Sequence, residues 1–144
     1  MNKRPVISTN ARPSEVTVAY WLYAERRVGD YPISTPRSGK WLLFIPVEQV
    51  DGVWNAIKRA VEEGRLGDSA KVATARPNPN ASNPNVKVIC VYTYDADDDA
   101  DVTRVREELR QLGFTQRIPY KTDDATRQGQ YQVWGHTRVS KRYE

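Results

Sequence analysis

VKVICVYTY, residues 86–94, is the stretch on which the fold turns. Its β-branched and aromatic content reads as a strand. Val86, Val88, Cys90 and Tyr92 alternate with Lys87, Ile89, Val91 and Thr93, so both faces carry apolar side chains. A strand that is apolar on both faces belongs in the middle of a sheet. Downstream, residues 97–112 (DDDADVTRVREELRQL) place Val102, Val105, Leu109 and Leu112 on one helical stripe. Acids crowd the start of that helix and Gly113 ends it, the order that the helix dipole and a C-terminal glycine favour.

Upstream, RPNPNASNPN (residues 76–85) is an irregular loop rich in Pro and Asn. Before it, residues 70–75 read as a strand, and residues 48–63 read as a helix with apolar positions at 50, 53, 54, 57, 60 and 61. KWLLFIP (residues 40–46) reads as a buried strand stopped by Pro46, and residues 15–23 as a β-branched, aromatic strand. The loop between them, residues 24–39, is long and carries Gly29, Pro32 and Pro36. After the second helix come a short strand at 117–120, a polar loop and a final strand at 129–134. The expected order is β, β, α, β, β, α, β, β. This is an α+β domain in which two helices cover one face of a curved, mostly antiparallel sheet of about six strands. The other, concave face receives side chains from every strand and is the natural place for a pocket. Residues 15–136 form the domain, 1–14 a flexible arm and 137–144 a basic tail.

At 144 residues the chain suits one domain, which buries enough surface to need no metal or disulfide staple. One cysteine, Cys90, excludes an internal disulfide, and one histidine, His136, excludes most metal sites and the common His-based catalytic pairs. Cys90 is expected to be a small buried hydrophobe, and no metal or cofactor is expected. No signal peptide and no spanning segment is legible, so the expected location is the cytoplasm. A net charge of +4 favours an anionic partner. The acidic run at residues 95–101 lacks the central glycine of a calcium loop and reads as helix-terminal charge.

The candidate residues for an anion are Lys40, Lys71 and Lys121, each on or beside a strand. If they share one face they neutralise a phosphate as point charges. The loop RIPYKTDDATRQGQY (residues 117–131) adds Thr126 and Arg127, a hydroxyl and a bidentate fork suited to phosphate oxygens. Asp123 and Tyr131 orient that loop. The same residues also suit a plain capped turn, with Asp123 or Asp124 on the backbone and Thr126 at a short helical turn. Trp54 and Trp41 belong to the core. Trp21, Tyr31 and Trp134 are the candidate faces for stacking on a base.

The order of GKWLLF (39–44), a helix with a central Trp, LGDSAKVAT (66–74), VICVYTYD (88–95) and YKTDDATRQGQY (120–131) resembles the basophilic leukaemia-expressed protein family over residues 18–134. The most specific piece is Tyr120, Lys121, Asp123, Thr126, Gly129 and Tyr131. The resemblance implies a fold similar to the mRNA cap-binding translation initiation factor. That factor holds its base between two loop tryptophans, whereas residues 24–39 here offer Tyr31 and no Trp. A weaker resemblance is to bacterial phosphothreonine lyases, with Lys40 matching their lysine base. Leu42 stands where they carry a histidine acid, so the enzymatic reading lacks its general acid. The reading is a binding module for a phosphorylated ligand, a nucleotide or RNA end. The alternatives are a phosphoester lyase or transferase with a lysine base, and a protein-interaction or inhibitor domain.

Overall fold

A computed structural model describes residues 10–78, 83–123 and 142–144. The strand expected at 129–134, the loop residues Thr126, Arg127 and Tyr131, and Trp134 lie outside the described residues. The elements run η1 (Pro13–Glu15), β1 (Trp21–Glu25), β2 (Gly39–Pro46), α1 (Val50–Glu62), β3 (Ser69–Ala73), β4 (Val86–Thr93), α2 (Asp99–Gln111), β5 (Pro119–Thr122) and β6 (Arg142–Tyr143). They build an α+β fold on one curved six-stranded sheet, in the order β1-β3-β4-β2-β5-β6, with every pair antiparallel. Among the described residues no helix is long and apolar enough to cross a membrane.

β4 and β2 occupy the middle of the sheet, and the chain crosses over each of them. The β2–α1–β3 connection passes β4, and β4–α2–β5 passes β2. Both helices lie on one face. Their buried residues Val50, Trp54, Ile57 and Val61 (α1) and Val102, Val105 and Leu109 (α2) form a single core with Leu22, Trp41, Leu43, Val72, Ile89, Val91 and Tyr120. The sheet members of that core are one alternate set of each strand, as the two-residue period of a strand requires. Trp41 is fully buried: its indole N–H donates to Val102 O at 3.1 Å, and its ring meets Tyr120 edge-on at 5.1 Å. Behind it lies Arg106, also fully buried. Its guanidinium satisfies three main-chain carbonyls, Glu144 at 3.0 Å, Phe114 at 2.9 Å and Gln116 at 2.6 Å.

The ends of the chain differ from the expectation. The arm was expected to be free up to residue 14 and the first strand to begin at 15. Instead Pro13 opens a 3₁₀ turn and is buried, and Ser14 donates to Asp51 through both its amide (2.9 Å) and its hydroxyl (2.5 Å). Val16 enters the core, and the strand begins only at Trp21. Proline at the first helical position favours such a turn over a strand, because its φ is fixed and it donates nothing to a ladder. At the other end, Arg142–Tyr143 is not a loose tail. It pairs with β5, and Arg117 lies over the Tyr143 ring at 4.5 Å. These contacts are specific to the folded chain and leave no hydrophobic periodicity in the sequence.

Gly39 shows how tightly β2 and β5 meet. A methyl group there would strike the Tyr120 hydroxyl, which is buried and shares a 2.6 Å hydrogen bond with Thr93. Gly52, exposed on α1, has open space around it. Gly39→Ala is expected to destabilise the protein by about 1–3 kcal/mol through overpacking. Gly52→Ala is expected to stabilise it by about 0.5–1 kcal/mol, the helix gain of alanine over glycine. Urea unfolding of both variants checks this; equal effects would mean that β2 and β5 do not pack as described.

Candidate functional site

The face without helices carries the other alternate set of side chains. On β2 these are Lys40, Leu42 and Phe44, and on β4 Val88, Cys90 and Tyr92. Leu42 and Cys90 are buried yet stand outside the helix-side core. The register aligns them across the sheet. Tyr23 on β1 faces Lys71 on β3, Lys71 faces Cys90, and Cys90 faces Leu42. One row along, Tyr92 faces Lys40, and Lys40 faces Lys121 on β5. The structure thus brings Lys40, Lys71 and Lys121 onto one face, from three strands, with Cys90 among them.

The three lysines are held differently. Lys40 is 7% exposed. Its Nζ lies 2.9 Å from Asp123 Oδ1, while Ser38 Oγ donates to Asp123 Oδ2 at 2.6 Å and the Asp123 amide donates to Ser38 O at 2.9 Å. Asp123 thereby clamps the end of β5 to the start of β2, and loss of either charge would leave the other poorly solvated. Lys71 is half-buried, with its ammonium 4.0 Å from the centre of the Trp21 ring, a cation–π contact. Lys121 is also half-buried, and its ammonium is held below the ordinary lysine range, first by burial and then by Lys40 directly opposite.

The neighbouring groups report the same electrostatics. Burial pushes the Cys90 thiol up to about 11, against the pull of Lys71, Lys40 and Lys121. At neutral pH it is therefore a protonated, apolar group rather than a nucleophile. Burial likewise raises the Tyr92 phenol, with Cys90, Asp123 and Tyr23 adding to it.

Of the aromatic candidates, Trp21 lies on this face, but Tyr31 joins a different cluster. Its hydroxyl donates to Asp101 at 2.5 Å and accepts from the Tyr94 amide at 3.2 Å, and Arg26 covers its ring at 4.9 Å. Tyr31 pins the loop after β1 to the start of α2, and Arg37 pins it to the turn between β4 and α2, its guanidinium gripping Asp95 at 2.6–3.2 Å. The Arg37 contact also holds the Asp95 carboxyl below its usual range. The acids of that run serve the fold: Asp98 caps α2 by accepting from the Asp101 amide at 3.1 Å.

Residue-by-residue reasoning passed over Tyr23, Tyr92 and Ser38. The first two were findable: each stands two positions from a residue already singled out or placed centrally, Trp21 and Cys90, and so shares its face. Ser38 carried no local signal, because its partner is in a distant loop. A hollow of about 350 Å³ lies elsewhere, between the turn at Asn10–Arg12 and the start of α1, bordered by Asp51, Asn55 and Lys58. It holds none of the candidate residues.

The family model described as basophilic leukemia-expressed protein Bles03 matches residues 34–127. No curated protein matches the chain at a significant level. Among solved structures, schistosome eIF4E complexed with m7GpppA and 4E-BP is similar at a TM-score of 0.54 and 16% identity, over 75% of this chain and 59% of that one. Schistosome eIF4E complexed with m7GpppG and 4E-BP is similar at a TM-score of 0.52 and 15% identity, with the same coverage. This chain therefore spans less than two-thirds of the length of either, and the likeness is one of fold.

The lowered Lys121 value has a stability consequence whose sign is fixed. A lysine that titrates lower in the folded than in the unfolded chain costs stability while it is charged in both. That cost is full below its folded value and vanishes as pH rises to the ordinary lysine value of about 10.4. Lys121→Met is thus expected to be more stable than the parent at neutral pH, by a margin that shrinks as pH climbs toward that value. Urea midpoints of the two proteins across this range test it; a margin that grows with pH would contradict the assignment.

Proposed function

The chain belongs to the Bles03 family, and from that premise we propose that its helix-free sheet face binds a phosphorylated ligand, a nucleotide or an RNA end. The observation that carries this is the gathering of Lys40, Lys71 and Lys121 from three strands around the buried Cys90. Evenly solvated surface lysines do not need a shared apolar floor. Here the lysines flank the buried Leu42 and Cys90 on the sheet, a setting in which a bound anion is screened less than in water. Asp123 lies against Lys40, and Lys71 and Lys121 are the other two ammonium groups of this face. Thr126 and Arg127, which follow Asp123 in the sequence, would add a hydroxyl and a guanidinium fork.

The aromatic side chains supply the second half of the reading. Trp21 and Tyr23 border Lys71, and Tyr92 borders Lys40. Rings beside cations suit a base and its phosphate together. The two schistosome eIF4E structures that share the fold hold m7GpppA and m7GpppG, both phosphorylated nucleotides. Those structures also hold 4E-BP, so a protein partner is compatible with the same fold. The lysine face favours the nucleotide reading.

Calorimetric titration with nucleoside mono-, di- and triphosphates and cap analogues tests this. Lys71→Gln, Lys121→Gln or both are expected to weaken binding by about 1.5–3 kcal/mol, the range of a hydrogen bond to a charged group. Binding that is indifferent to both substitutions would place the ligand elsewhere, and no binding across the series would remove the reading.

A further inference from the structure

Lys71 and Lys121 share a face but not a point. They are three strand steps apart, β3 to β4 to β2 to β5, which at about 4.8 Å per step is about 14 Å of backbone separation. They are also two residues out of line. Lys71 faces Cys90, whereas Lys121 faces Lys40, whose β4 partner is Tyr92. That offset adds roughly 7 Å along the strands, for a diagonal of about 16 Å. The Lys71 ammonium leans further away, onto Trp21 of the edge strand β1. A single phosphate hydrogen-bonded to two ammonium groups at about 3 Å holds them within about 6 Å of each other. With the Lys71 ammonium drawn onto Trp21, Lys71 and Lys121 therefore do not share one phosphate. The arrangement is a line of cations crossing the strands, with an apolar floor at Cys90 and Leu42, the half-buried Tyr92 ring between its ends and Tyr23 beyond Lys71. Tyr23 is 57% exposed beside Lys71, and Phe44 is 56% exposed on the same face.

From this spacing, and resting on the reading of this face as a phosphate-binding surface, we infer that the ligand is a short single-stranded oligonucleotide laid across the strands. Its successive phosphates meet Lys121 at one end and Lys71 at the other, with Tyr92, between them, and Tyr23, just beyond Lys71, as stacking faces. Rings beside the separated cations distinguish this from a site for a bare phosphate chain. Rings contribute to binding through bases, and base stacking tolerates any sequence. Tyr23, on β1, stands three strand steps from Lys40 and is replaceable without disturbing the Lys40–Asp123 clamp.

The test is a length series of 5′-phosphorylated oligouridylates of one, two and four residues, with inorganic tripolyphosphate beside them, followed by quenching of the intrinsic tryptophan fluorescence and by calorimetry. The tetranucleotide is expected to bind at least about tenfold more tightly than the mononucleotide, a gain of about 1.4 kcal/mol. Lys71→Gln and Lys121→Gln should each lower the slope of log affinity against log salt for the tetranucleotide by about 0.7, the value for one phosphate contact on a single strand. The mononucleotide should respond to only one of the two substitutions. Tyr23→Ala should weaken the tetranucleotide and leave tripolyphosphate unchanged.

If the mononucleotide binds as tightly as the tetranucleotide, the extended-ligand inference falls while the phosphate-binding reading stands. Tripolyphosphate binding as tightly as the tetranucleotide removes the role of the bases. Absence of binding by every member, cap analogues included, removes both.

Discussion

The antiparallel pairing of β2 with β4 is the constraint on which the rest of the structure depends. It runs the whole length of both strands, from Gly39 opposite Thr93 to Pro46 opposite Val86. Because side chains alternate, this register sends Trp41, Leu43, Ile89 and Val91 to the helices and Lys40, Leu42, Cys90 and Tyr92 to the other face. A slip of one residue in either strand would drive Lys40 or Tyr92 into the core and expel Trp41 or Val91. The two crossover helices, each passing over one member of the pair, then have a single apolar surface to cover. Arg106 and Tyr120 close that surface around Trp41. Gly39 permits the approach of Tyr120, and that approach brings β5, with Lys121, alongside Lys40.

Much of this was legible in the sequence. Apolar residues on both faces of VKVICVYTY implied a central strand, and β4 is one. Helical spacing marked α1 and α2 to within two residues at each end. Trp41 and Trp54 were placeable in the core from their neighbours alone. What could not be read were long-range contacts without periodicity. The anchoring of Ser14 by Asp51, the docking of Arg142–Tyr143 on β5 and the burial of Arg106 all depend on partners far away in the chain. An arginine in an amphipathic helix ordinarily reaches water. This one is buried because three carbonyls of irregular backbone need its donors.

The candidate site was legible in part, for a similar reason. Lysines on separate strands have no sequence pattern that says whether they face the same way; only strand order and register decide it. Parity within a strand was available, and it assigns Tyr23 to the face of Trp21. Strand order was not, and it puts Lys71 at one end of the cationic line and Lys121 at the other. Tyr31 shows the opposite outcome. As the lone aromatic residue of a long loop it suggested a ligand contact, but its hydroxyl and its ring already serve Asp101, Tyr94 and Arg26. It holds the loop between β1 and β2 against the end of β4 and the start of α2.

The proposed function stands or falls on the helix-free face of the sheet being the ligand surface. Backbone amide chemical shifts, followed while a 5′-phosphorylated tetranucleotide is added, address it directly. The perturbed amides are expected in β1, β3 and β5 near Trp21, Tyr23, Lys71 and Lys121, and in the Cys90–Tyr92 part of β4, with the exposed sides of α1 and α2 unmoved. Perturbations confined to the helices, or to the hollow between Arg12 and Lys58, would contradict it.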